Sequence, residues 1–127
     1  MKKRTVILTV ALIAVAALLT VGVRGALRYG MLEGRVLIAD NGSYLIVLDD
    51  HSPIRMSDCS RKGGAFLDLQ TGDKIRILHD GVLLSYPGQT GVYWVRLLER
   101  GSGEDIPEDV LLALQELGWI ESPEKLR

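Results

Sequence analysis

The sequence has very few of the residues that build covalent cross-links, metal sites or catalytic centres. Its 127 residues include one cysteine and two histidines. A lone Cys59 excludes a disulfide within the chain and leaves a free thiol or a disulfide between two chains. The acidic stretch around Asp49, Asp50, His51 and Asp58 matches no metal-ligand spacing, so these groups are expected to be solvated. We predict neither a metal nor a cofactor.

The chain also lacks a basic patch, although its charges are unevenly distributed. Residues 1–28 carry five bases and no acid, residues 29–100 carry eight bases and nine acids, and residues 101–127 carry two bases and seven acids. Non-specific binding to phosphates needs clustered lysine and arginine on the folded surface. Nucleic acid is therefore not expected as a partner.

Motifs of nucleophilic catalysis and phosphate binding are missing as well. Ser85 does not lie in a Gly-x-Ser-x-Gly turn, and neither His51 nor His79 is placed by sequence to activate Cys59. The Gly63-Gly64 pair lacks the flanking strand, lysine and helix of a phosphate loop. The sequence predicts no catalytic residue, so the protein is not expected to be an enzyme.

What the sequence does have is a long apolar run near its start, from Thr5 to Val23. At about 1.5 Å per residue its nineteen residues make a helix of roughly 28 Å, close to the thickness of the hydrocarbon core of a bilayer. More bases precede the run than follow it, which predicts that the carboxy-terminal part lies outside the cytoplasm. Residues 1–28 are interpreted as a basic start and an uncleaved signal anchor in the cell membrane. The alternative is secretion after signal cleavage near Ala26.

Residues 29–100 predict a mainly β domain. Asn41-Gly42 fits a two-residue type I′ hairpin, Asp80-Gly81 a second turn, and the polar stretch from Ser52 to Lys62 a long loop. In the last strand Tyr93, Val95 and Leu97 are expected to face the core. Five strands on short spacing indicate a small barrel or a rolled antiparallel sheet, and these strands are Gly34 to Asp40, Ser43 to Asp49, Lys74 to His79, Val82 to Tyr86 and Val92 to Glu99.

Residues 101–127 read as an acidic linker followed by a short amphipathic helix. Gly101-Ser102-Gly103 is expected to be a flexible joint, Pro107 to start the helix and Gly118 to end it. Two interpretations stay open for the apolar residues of this segment: they cover the sheet, or they form a helix that docks on a partner. These residues are Val110, Leu111, Leu114, Leu117 and Trp119.

The stretch from Thr71 to Leu98 resembles a known family. Gly72-Asp73 before a strand, Asp80-Gly81 at a turn and Tyr86-Pro87-x-Gln89 before an aromatic strand are similar to the YobA-like domain of Gram-positive cell envelopes. The resemblance covers about residues 33–99 and implies an OB-like barrel and an exported location, with no assigned activity. Members often carry a lipid on a cysteine after the signal, which Cys59 lies too far downstream to provide. Gly88 stands where the family usually has alanine.

A cluster of polar and aromatic residues is the candidate binding surface. Tyr86, Gln89, Tyr93 and Trp94 lie around one turn, where aromatic rings at a barrel mouth can stack on a sugar or an extended peptide. The alternative is that Tyr86 and Tyr93 pack in the core. The sequence thus favours an envelope binding or adaptor module that engages another envelope protein, ahead of an accessory structural subunit of a membrane complex and of an exported enzyme.

Overall fold

A computed structural model of the chain describes residues 29–126, which form one β-barrel with a helical tail. The predicted anchor helix lies outside the described residues. Within them, no helix is long and apolar enough to cross a membrane. The five strands are β1 (Gly30–Ile38), β2 (Tyr44–Val47), β3 (Pro53–Asp58), β4 (Lys74–Leu83) and β5 (Gly88–Glu99), and the tail contains α1 (Glu108–Glu116) between 3-10 turns at Gly103–Asp105 and Pro123–Leu126.

The hairpin between β1 and β2 forms where it was predicted but with a different turn. The backbone N–H of Gly42 donates to the carbonyl of Ala39 at 3.0 Å, and the N–H of Ala39 donates to the carbonyl of Ser43 at 2.8 Å. Gly42 has a φ of 85°, whereas Asn41 is not among the residues with positive φ. This is a three-residue loop ending in a left-handed glycine rather than a two-residue type I′ turn.

The stretch predicted to be a long loop contains a strand. β3 pairs with β2 in antiparallel register, with Ile54 opposite Ile46. Its buried residues Ile54 and Met56 alternate with exposed Arg55 and Ser57. Pro53 is tolerated because it is the first residue of the strand, where a missing N–H costs least. The loop prediction for Ser52 to Lys62 is therefore wrong over Pro53–Asp58.

The second predicted turn is a bulge inside one long strand. β4 continues through Asp80-Gly81 to Leu83, and its pairing with β5 shifts register at His79 and again before Val82. Gly81 has a φ of 115°, a backbone conformation that suits glycine. The expected separate strand from Val82 to Tyr86 is thus the end of β4 followed by the β4–β5 loop.

A parallel pair closes the barrel. The strand order is β1-β2-β3-β5-β4, with β4 returning to β1. β3 and β5 run parallel, with Ile54 beside Gly88 and Met56 beside Thr90. The mainly β prediction and the barrel alternative are confirmed, and the sheet is closed rather than rolled and open.

The two ends of the barrel differ. At one end the β3–β4 loop inserts Phe66 and Leu69 into the interior core, where the Phe66 ring lies 5.1 Å from the Tyr44 ring. We call this the plugged end. At the other end β1, β3 and β5 begin and β2 and β4 finish, and among residues 29–126 no comparable side chain closes the interior. We call this the open end. The interior core between them consists of Val36, Ile46, Ile54, Met56, Phe66, Leu69, Ile75, Ile77 and Val92.

A second core lies outside the barrel, between the β1–β2 hairpin and the tail. Leu37, Leu45 and Val47 point outward from the sheet and are buried by α1. Successive residues of β1 and β2 face the interior core and the second core in turn, so both faces are buried. This explains why the two strands are nearly continuous apolar runs in the sequence. Gly118, with a φ of 82°, ends the helix as predicted, and the N–H of Asp40 then donates to the carbonyl of Trp119 at 3.1 Å. The tail is therefore packed on the barrel.

The residues between barrel and tail are fixed rather than flexible. Asp73 is completely buried and accepts hydrogen bonds from Arg100 Nη1 at 2.8 Å, the Gln70 N–H at 2.8 Å and the Gly101 N–H at 3.1 Å. The backbone of Gly101 packs so closely on Gly72 that a Cβ there would lie 2.1 Å from the Gly72 carbonyl oxygen. The expectation of a flexible joint at residues 101–103 is wrong, because this segment packs against the β3–β4 loop.

Candidate functional site

The open end of the barrel holds an apolar cavity of about 300 Å³. Leu32 from β1, Ile54 from β3 and Val82 from β4 form its inner wall. Pro53 and Leu48 bound it on the side of the β2–β3 loop, and a few polar groups stand among its lining residues, namely Ser52, His79, Ser85 and Tyr86. Its volume is at the lower limit of small-molecule sites, which are also apolar with a few polar groups.

The β4–β5 loop forms one rim of this cavity and exposes large apolar side chains. Leu84 is 95 % exposed, and Leu83 and Tyr86 are also exposed. The Ser85 hydroxyl donates to the carbonyl of Pro87 at 2.8 Å, which fastens the loop on itself, and Pro87 itself is buried. The loop therefore presents Leu84 to its surroundings rather than folding it into the cavity.

Tyr86 lies at this rim and not in the core. The residue is 52 % exposed. Partial burial, with a smaller contribution from the charge of Asp109, raises the pKa of its phenol above the ordinary value of 10.0. The phenol is therefore a neutral hydrogen-bond donor at physiological pH. The alternative that Tyr86 packs in the core is wrong.

Tyr93, which was predicted to face the core, lies on the surface instead. A register shift between Leu78 and His79 places Val92 opposite His79 and leaves Tyr93 unpaired, so Val92 and Val95 turn inward while Tyr93 is 37 % exposed. Leu97, also expected to face the core, is exposed. The extra residue at this bulge puts two successive side chains, Tyr93 and Trp94, outside the barrel, so the alternation changes phase between Val92 and Val95.

The exposed Tyr93 is held in place by Asp80. Its hydroxyl donates to Asp80 Oδ2 at 3.1 Å, and its ring meets the Tyr29 ring edge to face at 5.4 Å. The hydrogen bond to Asp80 is the main cause that raises the pKa of the Tyr93 phenol above 10.0. Asp80 Oδ1 also accepts from the Gly91 N–H at 3.1 Å. Asp80 thus orders the bulge instead of facing a ligand.

The remaining two candidate residues point to different surfaces. Gln89 is exposed and borders a separate shallow depression with Asp80 and Thr90, on the other side of Leu83 from the apolar cavity. Trp94 is exposed on the outer face of β5, opposite Leu78 of β4. The structure therefore separates the predicted cluster, and of its four residues Tyr86 alone lines the cavity.

The apolar residues of the tail divide in a similar way. Val110, Leu111 and Leu114 are buried in the second core, and Trp119 packs against it. Leu117 is exposed. Of the two alternatives for this helix, the structure shows the one in which its apolar stripe covers the sheet, so these buried side chains are not available to a partner.

A hydrogen bond joins the start of α1 to the open end. His51 in the β2–β3 loop lies 2.9 Å from Asp109 Oδ2. The hydrogen bond from His51 is the main cause that lowers the pKa of Asp109 below 3.8. His51 has a φ of 67°, a left-handed conformation that a histidine adopts only occasionally. The pair fixes the loop beside the cavity.

The His79 imidazole lines the cavity, and its Nδ1 accepts a hydrogen bond from the Gly81 N–H at 3.0 Å. Among residues 29–126 no cluster of three or more histidine, cysteine, aspartate or glutamate side chains could hold a metal ion. Cys59 is an exposed free thiol on another side of the barrel, near Gly91. Asp58 beside it accepts from the Ser60 hydroxyl and from the N–H groups of Ser60 and Ala65, and the Ser60 bonds are the main cause that lowers its pKa below 3.8. Its role is to order the loop.

The sequence reading missed Met31, Leu83 and Leu84, the exposed apolar residues at and beside the open end. The signal that could have identified the two leucines is the uncharged stretch Gly81 to Gly88, in which they are adjacent and which ends in proline and glycine. Adjacent residues of a strand point to opposite faces, so predicting a strand there implied that the two leucines would not both be exposed.

Comparison with other proteins adds no assignment. No protein-family model matches the chain. A comparison with curated proteins also gives no match. The resemblance to the YobA-like domain stays a prediction, and the function is argued from the geometry of the open end.

Proposed function

We propose that this chain is a non-enzymatic, membrane-anchored envelope protein whose barrel is a binding or adaptor module. The observation that carries the proposal is the apolar cavity at the open end, bordered by the exposed Leu84 and Tyr86. An exposed apolar surface around a cavity is costly in water and marks a place where another molecule binds.

The topology supports an OB-like interpretation of the barrel. The order β1-β2-β3-β5-β4 with a parallel β3–β5 pair is that of a five-stranded Greek-key barrel, a fold that binds ligands through its second and third strands and its first and last loops. Here the tail covers the outside of the β1–β2 hairpin. Within the described part of the chain, the tail leaves the β4–β5 loop exposed beside the open end.

The anchor is proposed from the apolar run Thr5 to Val23 and the bases before it. A run of this length and composition supports a single membrane crossing with the barrel outside the cytoplasm. Amino-terminal sequencing of the mature protein tests this step. A mature chain beginning near Ala26 would replace the anchor by the secreted alternative.

A second candidate function is an accessory structural subunit of a membrane complex. It is favoured by Leu112 and Leu117, two exposed leucines on the tail that the second core does not use. A helix in a protein complex commonly buries such residues against its partner. The two candidates therefore predict contacts on different surfaces.

Site-specific photo-crosslinking in native membranes distinguishes them. A photoreactive amino acid replaces Leu84 at the open end, Leu112 on α1, or Leu67, which is 81 % exposed in the β3–β4 loop at the plugged end. The binding-module proposal expects a specific product from position 84 and none from position 67. A product from position 112 alone would favour the structural subunit, and equal products from positions 84 and 67 would contradict a dedicated surface at the open end.

A further inference from the structure

We infer that the open end of the barrel lies on the lipid bilayer, with Leu83, Leu84 and Tyr86 inserted between the headgroups and the hydrocarbon. The inference rests on the proposed function, because it requires the anchor at residues 5–23. It goes further by naming the partner of the open end, which is membrane lipid rather than another protein.

The tether between the apolar run and β1 is short. Six residues, 24–29, separate the apolar run from the start of β1. Since an extended chain reaches at most about 3.5 Å per residue, Gly30 lies within roughly 25 Å of the end of the membrane-spanning run. β1 has nine residues that rise by about 3.3 Å each and tilt by roughly 40° to the barrel axis, so the plugged end is roughly 20 Å further along the barrel. The tether therefore keeps the open end within reach of the bilayer.

In this orientation the β4–β5 loop and the end of β4 face the lipid. Residues 81–88 contain no charged side chain. Leu83, Leu84 and Tyr86 are all exposed there. Leucine gains free energy on leaving water, and tyrosine favours the interface, where its ring is in apolar surroundings and its hydroxyl remains hydrated. The loop has the composition of an interfacial segment.

The outer face of the barrel changes from apolar to charged along the strands. Met31, Leu78 and Trp94 form one row across β1, β4 and β5, adjacent to the open end. Two residues further from that end, about 7 Å along the strands, the same outer face carries the row Glu33, Arg76 and Arg96. Arg76 and Glu33 are paired, with Arg76 Nε 2.7 Å from Glu33 Oε1. Toward the plugged end, this apolar row therefore gives way to a charged one.

The charges at the open end decide which lipids are needed. Asp49, Asp50 and Asp109 lie in or beside the β2–β3 loop at this end, and Asp80 lies on β4 just before the β4–β5 loop. These four carboxylates would repel anionic headgroups. The contact is therefore apolar, and neutral lipid suffices for it.

The test measures the depth of two matched positions in the full-length protein. A nitroxide spin label is attached at Leu84→Cys or, as a control, at Leu67→Cys, with Cys59→Ser in both so that the exposed natural thiol is not labelled. Each protein is reconstituted into phosphatidylcholine vesicles, and flotation confirms that it is anchored. Collisions with oxygen, which partitions into lipid, and with a water-soluble nickel chelate are then measured at each label.

The expected result is high oxygen and low nickel accessibility at position 84, with the reverse at position 67. Adding Leu83→Ser and Tyr86→Ser should raise nickel accessibility at position 84 and leave position 67 unchanged. High nickel accessibility at position 84 in anchored protein would overturn the inference while leaving the anchor intact. Low accessibility to both reagents would also overturn it, since protein would then cover the label, and so would a requirement for anionic lipid. Protein that does not float would overturn the anchor and the inference together.

Discussion

At the scale of single residues, two glycines in similar backbone conformations have different surroundings. Gly72 has a φ of 96° and Gly42 a φ of 85°. A Cβ at Gly72 would lie 1.9 Å from the carbonyl oxygen of Ser102, whereas a Cβ at Gly42 would meet nothing within 4 Å. The first glycine is needed for close packing as well as for its conformation, and the second for its conformation alone.

We therefore expect Gly72→Ala to destabilise the protein far more than Gly42→Ala. Gly42→Ala should lower the free energy of unfolding by about 1 to 2 kcal/mol, the cost of a left-handed alanine. Gly72→Ala adds a backbone displacement and should cost more than about 3 kcal/mol. Urea denaturation followed by tryptophan fluorescence measures both. Equal losses would contradict the close contact between Gly72 and Ser102.

Asp109 predicts a pH dependence at the same scale. Because its pKa in the folded protein is lowered below the ordinary 3.8, its ionised form stabilises the fold above that pH. The stabilisation is lost as the pH falls through the lower, folded-state pKa. Asp109→Asn should thus lower the thermal midpoint near neutral pH, and its difference from the natural protein should shrink below about pH 4.

Thermal unfolding between about pH 7 and pH 3 measures this difference. In a His51→Ala background, Asp109→Asn should have a much smaller effect, because the main cause of the lowered pKa has already been removed. An undiminished effect of Asp109→Asn in that background would contradict the role assigned to the His51–Asp109 pair.

At the scale of elements, α1 contributes stability through one face. Leu114 is completely buried in the second core, while Leu117, one turn further on, is exposed. Leu114→Ala should lower the free energy of unfolding by about 2 to 5 kcal/mol through lost burial and a cavity. Leu117→Ala should change it by less than about 0.5 kcal/mol. The same urea measurement decides, and a small effect at Leu114 would mean that the tail is not packed as described.

The elements also show which parts of this fold are readable from sequence. β1 and β2 were predictable because they are apolar runs rich in β-branched residues on either side of Asn41-Gly42, and α1 because its apolar residues repeat at the helix period. β3 was not, because only Ile54 and Met56 face the core and a proline, an arginine and an aspartate surround them. Pairing with β2 and β5, rather than local propensity, makes this segment a strand.

The candidate site was likewise predictable only where the local sequence pattern determines the structure. Tyr86 could be identified as a surface residue of a turn, but the separation of Gln89, Tyr93 and Trp94 depends on the bulges where β4 pairs with β5. A bulge shifts the inward and outward positions by one, and no single-strand pattern reveals where it lies. The apolar cavity is likewise formed by residues from three segments that are distant in sequence.

At the scale of the whole molecule, barrel and tail share their stabilising contacts. The buried Asp73 binds Arg100 at the end of β5 and the backbone of Gly101, where the tail begins. The second core then joins the tail to β1 and β2. A chain ending at Arg100 would expose Leu37, Leu45 and Val47 to water, so point substitutions test the tail better than a truncation does.

This shared packing predicts that barrel and tail unfold together. Two variants, Trp119→Phe and Trp94→Phe, leave one tryptophan each, on the barrel and on the tail respectively. Their fluorescence transitions in urea should coincide with each variant's own circular dichroism transition, as a two-state process requires. An earlier fluorescence transition for Trp119 alone would mean that the tail detaches while the barrel stays folded. In that case Leu37, Leu45 and Val47 would become a second apolar surface, and a regulated release of the tail would have to be considered beside the open end.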